Sequence, residues 1–325
     1  MNQMNTALPA IPPAAVELNG VIKRFGKNEA LRGIQGRILP GRLTGLVGPD
    51  GAGKTTLMRL MAGLMAPTEG RITVAGLDPV RDSMALPDLI GYMPQRFGLY
   101  EDLSVMENLR LYAGLRGLER RVHRDTFHRL LEFTRLGPFT TRLAGQLSGG
   151  MKQKLGLACA LMATPKVLLL DEPGVGVDPV SRQDLWRMVQ ALTDEGMAVI
   201  WATAYLDEAE RCAAVLLLNE GVLKFDGVPG ELTARLQDRS FKLLNHCHDR
   251  RALLSEALHL PAVCDGVIQG NAVRVVLRTA SQRDAIEAFA KKAGAELQPV
   301  APRFEDAFID LLGGGPGGVS AIAQK

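Results

Sequence analysis

The chain has 325 residues, of which 46% are hydrophobic, and this is enough material for two domains with buried cores. Its 38 basic and 35 acidic residues give a net charge of +3 and are interspersed, so no nucleic-acid partner is expected. The longest apolar stretches, at 197–204 and 213–218, are much shorter than the roughly 18 to 20 residues of a membrane-spanning helix, so we do not expect the chain to cross a bilayer.

The N-terminus and the cysteines carry no clear functional signal. Residues 1–15 contain several prolines and lack a basic start followed by an apolar segment, so we predict a disordered leader and not a signal sequence. The four cysteines show no metal-ligand spacing, which predicts inert thiols in a reducing cytosol. A metal cluster at Cys247, between His246 and His248, is the less favoured alternative because no second ligand group lies nearby in the sequence.

The first predicted elements frame a glycine-rich loop. Strands are expected at 16–22, within 37–47 and at 71–74, and a helix is expected at 56–62. Between them, Gly48 to Thr55 read G-P-D-G-A-G-K-T directly after the apolar stretch 43–47. A simple glycine turn would need neither the apolar strand before it nor the helix after it. The pattern therefore predicts a loop whose backbone N–H groups and Lys54 bind a triphosphate, and whose Thr55 hydroxyl binds Mg²⁺.

Further along the chain, the pattern indicates helices and then buried strands. Apolar residues recur at helical spacing from residue 102 to about 163, which predicts a helical insertion. Continuous apolar runs at 167–170, 198–203 and 215–218, with a helix at 181–192, are typical of a parallel α/β sheet with right-handed crossovers. Ligands of such a sheet bind at the carboxyl ends of its strands.

The last part of the chain predicts a second, smaller domain. A short helix is expected to end near residue 236. Strands are then expected at 240–244, 272–277 and 296–300, with helices at 251–258 and 282–293. This pattern predicts an α+β domain over residues 236–325, including a helix at 304–312 and a flexible glycine-rich tail.

Two carboxylates follow the apolar run at 167–170, where the phosphate-binding loop should also open. Asp171 would hold Mg²⁺ and Glu172 would deprotonate the attacking water, although a helix-capping turn before Pro173 is the alternative. About twenty residues upstream, residues 147–154 place Ser148 and two glycines ahead of an amphipathic helix. They form a helix N-cap that could also receive a phosphate.

The order of these motifs resembles the nucleotide-binding domain of ATP-binding cassette transporters. The matching residues are Gly48 to Thr55, Gln95 in Gly91-Tyr-Met-Pro-Gln95, Leu147 to Lys154, Val167 to Glu172, and Asp178. The resemblance implies an α/β P-loop NTPase fold, with a RecA-like parallel sheet core, an antiparallel β subdomain and a helical insertion at about 97–163. We therefore predict a cassette over residues 16–235, followed by the C-terminal α+β domain.

The resemblance also implies roles for individual residues. Two cassettes would sandwich two ATP molecules head to tail, so that Ser148, Gly149 and Gly150 serve the opposite site. Glu172, Gln95 and Lys54 would be catalytic, and Thr55, Gln95 and Asp171 would hold Mg²⁺. The predicted ATP-binding residues are Phe25, Gly48, Pro49, Asp50, Gly51, Ala52, Gly53, Lys54, Thr55, Thr56, Ser148, Gly149, Gly150 and Asp178. Adenine would stack on Phe25, for which an ordinary core position is the alternative. The segment 97–103 resembles the surface that receives a transporter's coupling helix.

One departure from the family pattern affects hydrolysis. Ala204 stands where most members have a histidine that contacts the γ-phosphate, so this site should bind ATP but hydrolyse it slowly. Two smaller departures, Gly174 and Asp50, both fit a loop. Together with Gly174 to Asp178 and Leu147 to Lys154, the Ala204 feature resembles the first half of bacterial tandem-cassette exporters that work with a membrane-fusion protein.

The expected function is the ATP-hydrolysing subunit of a bacterial exporter, bound to separate membrane permeases on the cytoplasmic face of the inner membrane. A second cassette, in a homodimer or a heterodimer, and a membrane-fusion protein are the further partners. The C-terminal domain resembles the accessory domain of exporters of the ABC-2 class, such as drug-resistance exporters. The alternatives are a non-transport cassette ATPase acting on ribosomes or nucleic acid, and a regulatory ATP-binding module.

Overall fold

A computed structural model describes residues 13–95, 98–244 and 249–312. Among these residues the chain divides into two compact units: residues 205–212 and those after 226 form the second unit, and the others form the first. The sequence instead predicts a cassette that extends to residue 235, and that boundary stays a prediction. Most of the predicted leader, the glycine-rich tail, Phe97 and the cluster around Cys247 lie outside the described residues.

The first unit is built from two sheets and a set of helices. Its strands are β1 (Val16–Phe25), β2 (Asn28–Ile38), β3 (Leu43–Val47), β4 (Glu69–Val74), β5 (Ile90–Met93), β6 (Val167–Asp171), β7 (Ala198–Thr203), β8 (Ala214–Asn219) and β9 (Val222–Gly227). Its helices are α1 (Lys54–Met61), α2 (Leu86–Leu89), α3 (Val105–Leu115), α4 (Arg120–Thr134), α5 (Gly149–Ala160) and α6 (Pro179–Asp194). Short 3₁₀ turns lie at Gly137–Phe139 and Ala144–Gln146.

The larger sheet has six strands in the order β5-β6-β7-β3-β8-β9. Its three central strands, β6, β7 and β3, are buried along their whole length, as their unbroken apolar sequences require. They run parallel, and their registers pair Val47 with Thr203 and Asp171 with Ala202. The carboxyl ends of these three strands therefore lie side by side, which places the loops that follow them at one edge of the sheet.

A three-stranded antiparallel sheet, in the order β2-β1-β4, forms the second layer of the first unit. Buried side chains of β1, β2 and β4 join those of α1 and the parallel sheet in a single apolar core. The phosphate-binding loop and α1 therefore rest on rigid elements, because one core supports both sheets.

The helical insertion is fixed by polar contacts around the start of α3. Ser104 and Glu107 form a capping box at its N-terminus. The buried Asn108 donates to the carbonyl oxygens of Tyr100, Leu103 and Ser104 and accepts from the N–H of Tyr100, at 3.0–3.2 Å. One side chain thus holds most of the segment 100–104 against α3.

The second unit contains a four-stranded antiparallel sheet covered by helices. Its elements are α7 (Leu206–Ala209), α8 (Pro229–Ala234), β10 (Ser240–Leu244), α9 (Arg250–Leu258), β11 (Val263–Gln269), β12 (Ala272–Leu277), α10 (Arg283–Lys292), β13 (Glu296–Pro299) and α11 (Phe304–Leu311), with a 3₁₀ turn at Ala280–Gln282. The strand order is β11-β12-β10-β13. The buried Arg274 of β12 donates to Asp306 at 2.5–3.1 Å and thereby joins α11 to the sheet.

The structure confirms the predicted α/β class and the α+β character of the second unit. The predicted strand region 37–47 is two strands separated by a turn at residues 39–42, and Gly45 lies inside β3 and does not interrupt it. Three strands, β5, β9 and β11, were not predicted, and neither was β2 apart from its last two residues. Each is short or contains glycine, so its apolar pattern is weak.

Three of the four cysteines lie among the described residues, and all three are buried. Burial raises the pKa of the Cys212 thiol to about 12 and that of Cys264 to about 11. These thiols therefore stay protonated at neutral pH, which is the behaviour of inert cysteines. None of the helices described by the structure is both long and apolar enough to span a membrane.

Candidate functional site

The loop between β3 and α1 has a backbone that requires glycine. Gly51 and Gly53 have φ angles of 78° and 106°, in the left-handed region that favours glycine. A Cβ atom on Gly48 would lie 2.2 Å from the carbonyl oxygen of Leu218, and one on Gly53 would lie 2.8 Å from that of Ala30. The loop is therefore packed closely against neighbouring backbone, directly before the N-terminus of α1, where backbone N–H groups can receive an anion.

Lys54 is buried at the first position of α1, with only 5% of its surface exposed. Its ammonium group donates to the carbonyl oxygens of Gly48 and Pro49 at 2.7 and 3.1 Å. The Nζ atom also lies 3.6 Å from Oε1 of Glu172. Burial lowers the pKa of Lys54, and the neighbouring carboxylates, chiefly Glu172, oppose that change. The loop thus holds the positive charge beside the position of its predicted ligand.

Asp171 ends β6 and is 1% exposed. The Thr55 hydroxyl donates to its Oδ1 at 3.2 Å, and the Tyr92 hydroxyl lies 3.5 Å from its Oδ2. Burial raises the pKa of Asp171, while the Thr55 hydrogen bond opposes that change. Both oxygens of the carboxylate are therefore oriented by hydroxyl groups, one from the phosphate-binding loop side and one from β5.

Glu172 does not cap a helix, so the alternative interpretation of the Asp-Glu-Pro turn is wrong. Its φ angle is 53°, its N–H donates to the carbonyl oxygen of Ala202 at 3.0 Å, and its carboxylate accepts from the Gln95 amide at 2.6 Å. The next helix, α6, begins at Pro179 and is capped by Asp178, which accepts from the Ser181 N–H at 2.9 Å. Left-handed backbone at a non-glycine residue costs about 1–3 kcal/mol and is concentrated at functional sites.

Ala204 directly follows β7, between the two halves of the site. The carbonyl oxygen of Thr203 accepts from the Gly48 N–H at 3.3 Å, while that of Ala202 accepts from the Glu172 N–H. The residue after Thr203 thus lies next to both the phosphate-binding loop and Glu172. Alanine offers no polar atom beyond its backbone at this position.

The predicted signature residues lie on a different element. Ser148 caps α5 and accepts from the Met151 N–H at 3.3 Å. Gly149 and Gly150 pack against the segment around α6, where a Cβ on Gly150 would lie 2.3 Å from both Cβ and Oγ of Ser181. The structure therefore connects these residues to the Asp178 region, and their predicted role at an opposite site stays a prediction.

Gly150→Ala should destabilise the first unit by about 1–3 kcal/mol, because the added methyl overlaps Ser181. Ser181→Gly removes both overlapping atoms, so the double variant should recover part of the loss. Denaturant unfolding of the two single variants and the double variant measures this coupling. Additive effects would contradict the overlap as the cause.

Phe25 ends β1 and is 49% exposed, so its alternative interpretation as a core residue does not fit the structure. The Lys23 ammonium lies 5.2 Å from the centre of the Phe25 ring. One face of this ring is therefore close to a cation, and a substantial part of its surface is accessible to a planar ligand.

The Mg²⁺ ligands predicted from the sequence fit the chemistry of this ion. Within the described ranges, no group of three or more His, Cys, Asp or Glu side chains forms a metal cluster. The hydroxyl of Thr55 and the carboxylate of Asp171 nevertheless meet, and they offer hard oxygen ligands. Mg²⁺ commonly uses only one or two protein ligands besides water and substrate phosphates.

These features define a nucleotide-binding protein of the P-loop class. The ABC transporter family matches residues 31–175. The chain is 38% identical over 221 residues to a daunorubicin resistance ATP-binding protein of Streptomyces coeruleorubidus, covering 68% of this chain and 70% of that protein. The chain therefore belongs to the ABC transporter family.

A more similar relative is much longer than this chain. The probable multidrug ABC transporter ATP-binding protein YbhF of Escherichia coli is 56% identical over 303 residues, which is 93% of this chain and 52% of that protein. The chain thus spans about half the length of this relative. A Nod factor export ATP-binding protein of Paraburkholderia xenovorans is 36% identical over 225 residues, covering 69% of this chain and 74% of that protein.

Solved structures support the same family. An ATP-binding subunit of an ABC transporter matches with a TM-score of 0.62 and 27% identity, covering 68% of this chain and 92% of that chain. A dimeric ATP-binding cassette in a post-hydrolysis state, bound to ADP and Pi, matches with a TM-score of 0.60 and 26% identity, covering 66% of this chain and 98% of that chain.

Proposed function

We propose that this chain is the ATP-binding and ATP-hydrolysing subunit of a bacterial ABC exporter of the ABC-2 class. The observation that carries the proposal is the meeting of four side chains at one sheet edge. Thr55 reaches Asp171 at 3.2 Å, and Lys54 lies 3.6 Å from Glu172. The names of the relatives, which include multidrug and drug-resistance ATP-binding proteins, support the exporter class.

In the proposed mechanism, MgATP is the substrate, and its phosphates occupy the loop before α1. Backbone N–H groups of the loop and the Lys54 ammonium bind the outer phosphates. Thr55, Asp171 and the amide oxygen of Gln95 would hold Mg²⁺, which would neutralise charge on those phosphates. When MgATP binds, the Lys54 ammonium exchanges its contacts with the Gly48 and Pro49 carbonyl oxygens for contacts with phosphate.

Glu172 acts as the general base. Its carboxylate is held by the Gln95 amide at 2.6 Å and is close to Lys54, so it can accept a proton from a water aligned with the terminal phosphate. Because Gln95 contacts the base and stands at the entrance to the helical insertion, we propose that movement of the insertion reaches Glu172 through this hydrogen bond.

A second cassette completes the site in this proposal. Ser148, Gly149 and Gly150 lie at the N-terminus of α5 and would bind the terminal phosphate of an ATP held by the partner. Asp178, which caps α6, would transmit changes between the two ATP sites. The dimeric state of one matching cassette supports this arrangement for a homodimer, and a heterodimer remains the other form of the proposal.

Ala204 weakens ATP hydrolysis, but not ATP binding, at this chain's own site. The position adjoins both the phosphate-binding loop and Glu172, yet its methyl group can bind neither the terminal phosphate nor the attacking water. Removing one positioned polar group of this kind typically costs about a hundredfold in rate. We therefore propose that binding is preserved and the chemical step is slow.

Ala204→His should raise the ATP turnover number by about tenfold or more, because the imidazole can bond to the terminal phosphate and the attacking water. The measurement is steady-state phosphate release at saturating MgATP. Ala204→Leu, which adds volume without a polar atom, is the matched control and should not raise turnover. An unchanged rate in Ala204→His would contradict this account of the substitution.

The remaining partners are separate permease subunits on the cytoplasmic face of the inner membrane, and a membrane-fusion protein. In the heterodimeric form of the proposal, the second cassette comes from another chain and carries the histidine that is missing here, which gives one strong and one weak ATP site. The half-length match to YbhF is consistent with this, because the aligned region leaves nearly half of that protein for other domains.

Fractionation tests the exporter proposal against the ribosome or nucleic-acid alternative. The tagged chain, expressed from its own locus, should sediment with membranes. Any part of it that sediments with ribosomes should be released at high salt. Recovery only with ribosomes would overturn the exporter proposal. A chain that binds ATP on membranes but never hydrolyses it would instead be a regulatory module.

A further inference from the structure

Phe25, on which adenine is predicted to stack, has an ammonium group close to its ring. Phe25 ends β1 and Lys23 lies two residues before it, so both side chains leave the same face of the strand. The Lys23 Nζ atom lies 5.2 Å from the centre of the ring, which is within the range of a cation–π contact. One side of the ring therefore faces a cation, while 49% of the residue's surface stays exposed.

The Lys23 ammonium is held in place by a segment outside β1. It donates to the carbonyl oxygen of Ala66 at 2.8 Å. Because this partner is a neutral carbonyl, the hydrogen bond orients the ammonium without cancelling its charge. Ala66 belongs to the connection between α1 and β4, and the same connection is bonded to β1. The Thr68 N–H donates to the Ile22 carbonyl oxygen at 2.8 Å, and the Thr68 hydroxyl accepts from the Arg24 N–H at 3.0 Å.

The end of β1 is also fixed on its opposite face. Side chains alternate along a strand, so Arg24 lies on the face away from Lys23. Its guanidinium donates to the carboxylates of Glu29 in β2 and Glu69 in β4. These ion pairs and the strand hydrogen bonds hold the end of β1 without Lys23. A change at Lys23 should therefore act on the Phe25 ring more than on the fold.

The hairpin of β1 and β2 packs directly on the phosphate-binding loop. Lys23 pairs with Leu31 across the two strands. A Cβ atom on Gly53 would lie 2.8 Å from both the Ala30 carbonyl oxygen and Cδ2 of Leu31. The strand pair that carries Phe25 is thus held at a fixed position beside the loop. This arrangement suits a ligand with phosphates at one end and a planar base at the other.

We propose that Lys23 is a positioning residue for the nucleobase. Its ammonium, fixed by the Ala66 carbonyl, holds the Phe25 ring from one face and leaves the opposite face for the purine. A ring that is fixed before binding loses less freedom when the base stacks on it, and this preorganisation increases affinity. The proposal rests on the proposed ATP-binding role of Phe25, and it adds a residue that acts through the ring.

The test compares ADP with inorganic pyrophosphate, which has no base. Isothermal titration calorimetry of the full chain with Mg²⁺ measures the Kd of each. Lys23→Met keeps a long side chain and removes the cation, so it should raise the Kd for ADP about three- to fivefold. The Kd for pyrophosphate should not change.

Two further variants separate the cation over the ring from charge in general. Lys23→Arg keeps a cation that can lie over an aromatic face, and it should bind ADP as wild type does. Lys27→Met, in the exposed turn of the same hairpin, removes the same charge and is the matched control. It should also keep the wild-type affinity. Loss of ADP affinity in Lys27→Met equal to that in Lys23→Met would contradict the proposal.

A double-mutant cycle with Phe25→Leu determines whether Lys23 acts through the ring. Phe25→Leu should itself weaken ADP binding, and Lys23→Met should then have no further effect. Additive losses would mean that Lys23 acts independently of the ring. Thermal unfolding of each variant without nucleotide shows whether the hairpin is intact, and an unchanged Kd for pyrophosphate shows the same for the phosphate-binding loop.

Three further results would overturn the proposal. Wild-type ADP affinity in Lys23→Met, together with weakened binding in Phe25→Leu, would leave the role of Phe25 intact and remove Lys23 from base binding. Equal losses for ADP and pyrophosphate in Lys23→Met would assign the ammonium to the phosphates. Unchanged ADP binding in Phe25→Leu would show that the base does not stack on this ring, and the roles proposed for both residues would fail.

Discussion

Replacing Glu172 with glutamine should lower ATP turnover by about two to four orders of magnitude and leave ATP binding intact. Glutamine keeps the size of the side chain and can still bond to Gln95, but it cannot accept a proton from water at neutral pH. It also removes a negative charge 3.6 Å from the Lys54 ammonium, so the affinity for ATP should stay the same or rise.

Single-turnover phosphate release and nucleotide binding, measured on the same preparation, separate these two effects. Size-exclusion chromatography with MgATP should then show an ATP-bound dimer of the variant. Glu195→Gln, at the exposed C-terminal end of α6, is the matched control and should behave as wild type. Wild-type turnover in Glu172→Gln would mean that another group activates the water.

Lys54→Ala should weaken ATP binding by about a hundredfold or more. The ammonium is almost fully buried and is held between two loop carbonyls and Glu172, so the bound phosphates would lose a desolvated charge partner. Charge-assisted hydrogen bonds of this kind contribute about 1.5–3 kcal/mol each, and a phosphate can accept more than one from an ammonium.

Titration with a fluorescent ATP analogue measures this loss. Lys224→Ala, which removes an exposed lysine from β9 in the same unit, should bind as wild type does. Thermal unfolding without nucleotide identifies any variant whose loop has collapsed, because Lys54 also bonds to Gly48 and Pro49. Retained affinity in a folded Lys54→Ala chain would contradict the phosphate-binding role of the loop.

The sequence was sufficient to predict the architecture around the site. The buried runs that become β3, β6 and β7 have no alternation, and parallel strands bring their carboxyl ends to one edge of a sheet. That rule alone places Thr55 and Asp171 close together, although they are 116 positions apart in the chain. The predicted class and the cassette motifs depended on local patterns of this kind.

Other features depend on contacts that no local pattern encodes. Tyr92 lies in the same short motif as Gln95, yet its contact with Asp171 arises because β5 pairs with β6 at the sheet edge. A four-residue strand containing glycine gives no reliable periodicity, so neither the strand nor the contact was predicted. The available signal was a tyrosine within the motif, three positions before Gln95.

The most direct test of the account is steady-state ATP turnover of this chain alone, measured across a range of protein concentrations, with Glu172→Gln as the blank. In a homodimer we expect slow turnover that depends on Glu172 and rises with concentration as two copies associate around ATP. Bound ATP with no turnover above the blank at any concentration would contradict the homodimer and would mean that hydrolysis needs a second cassette from another chain.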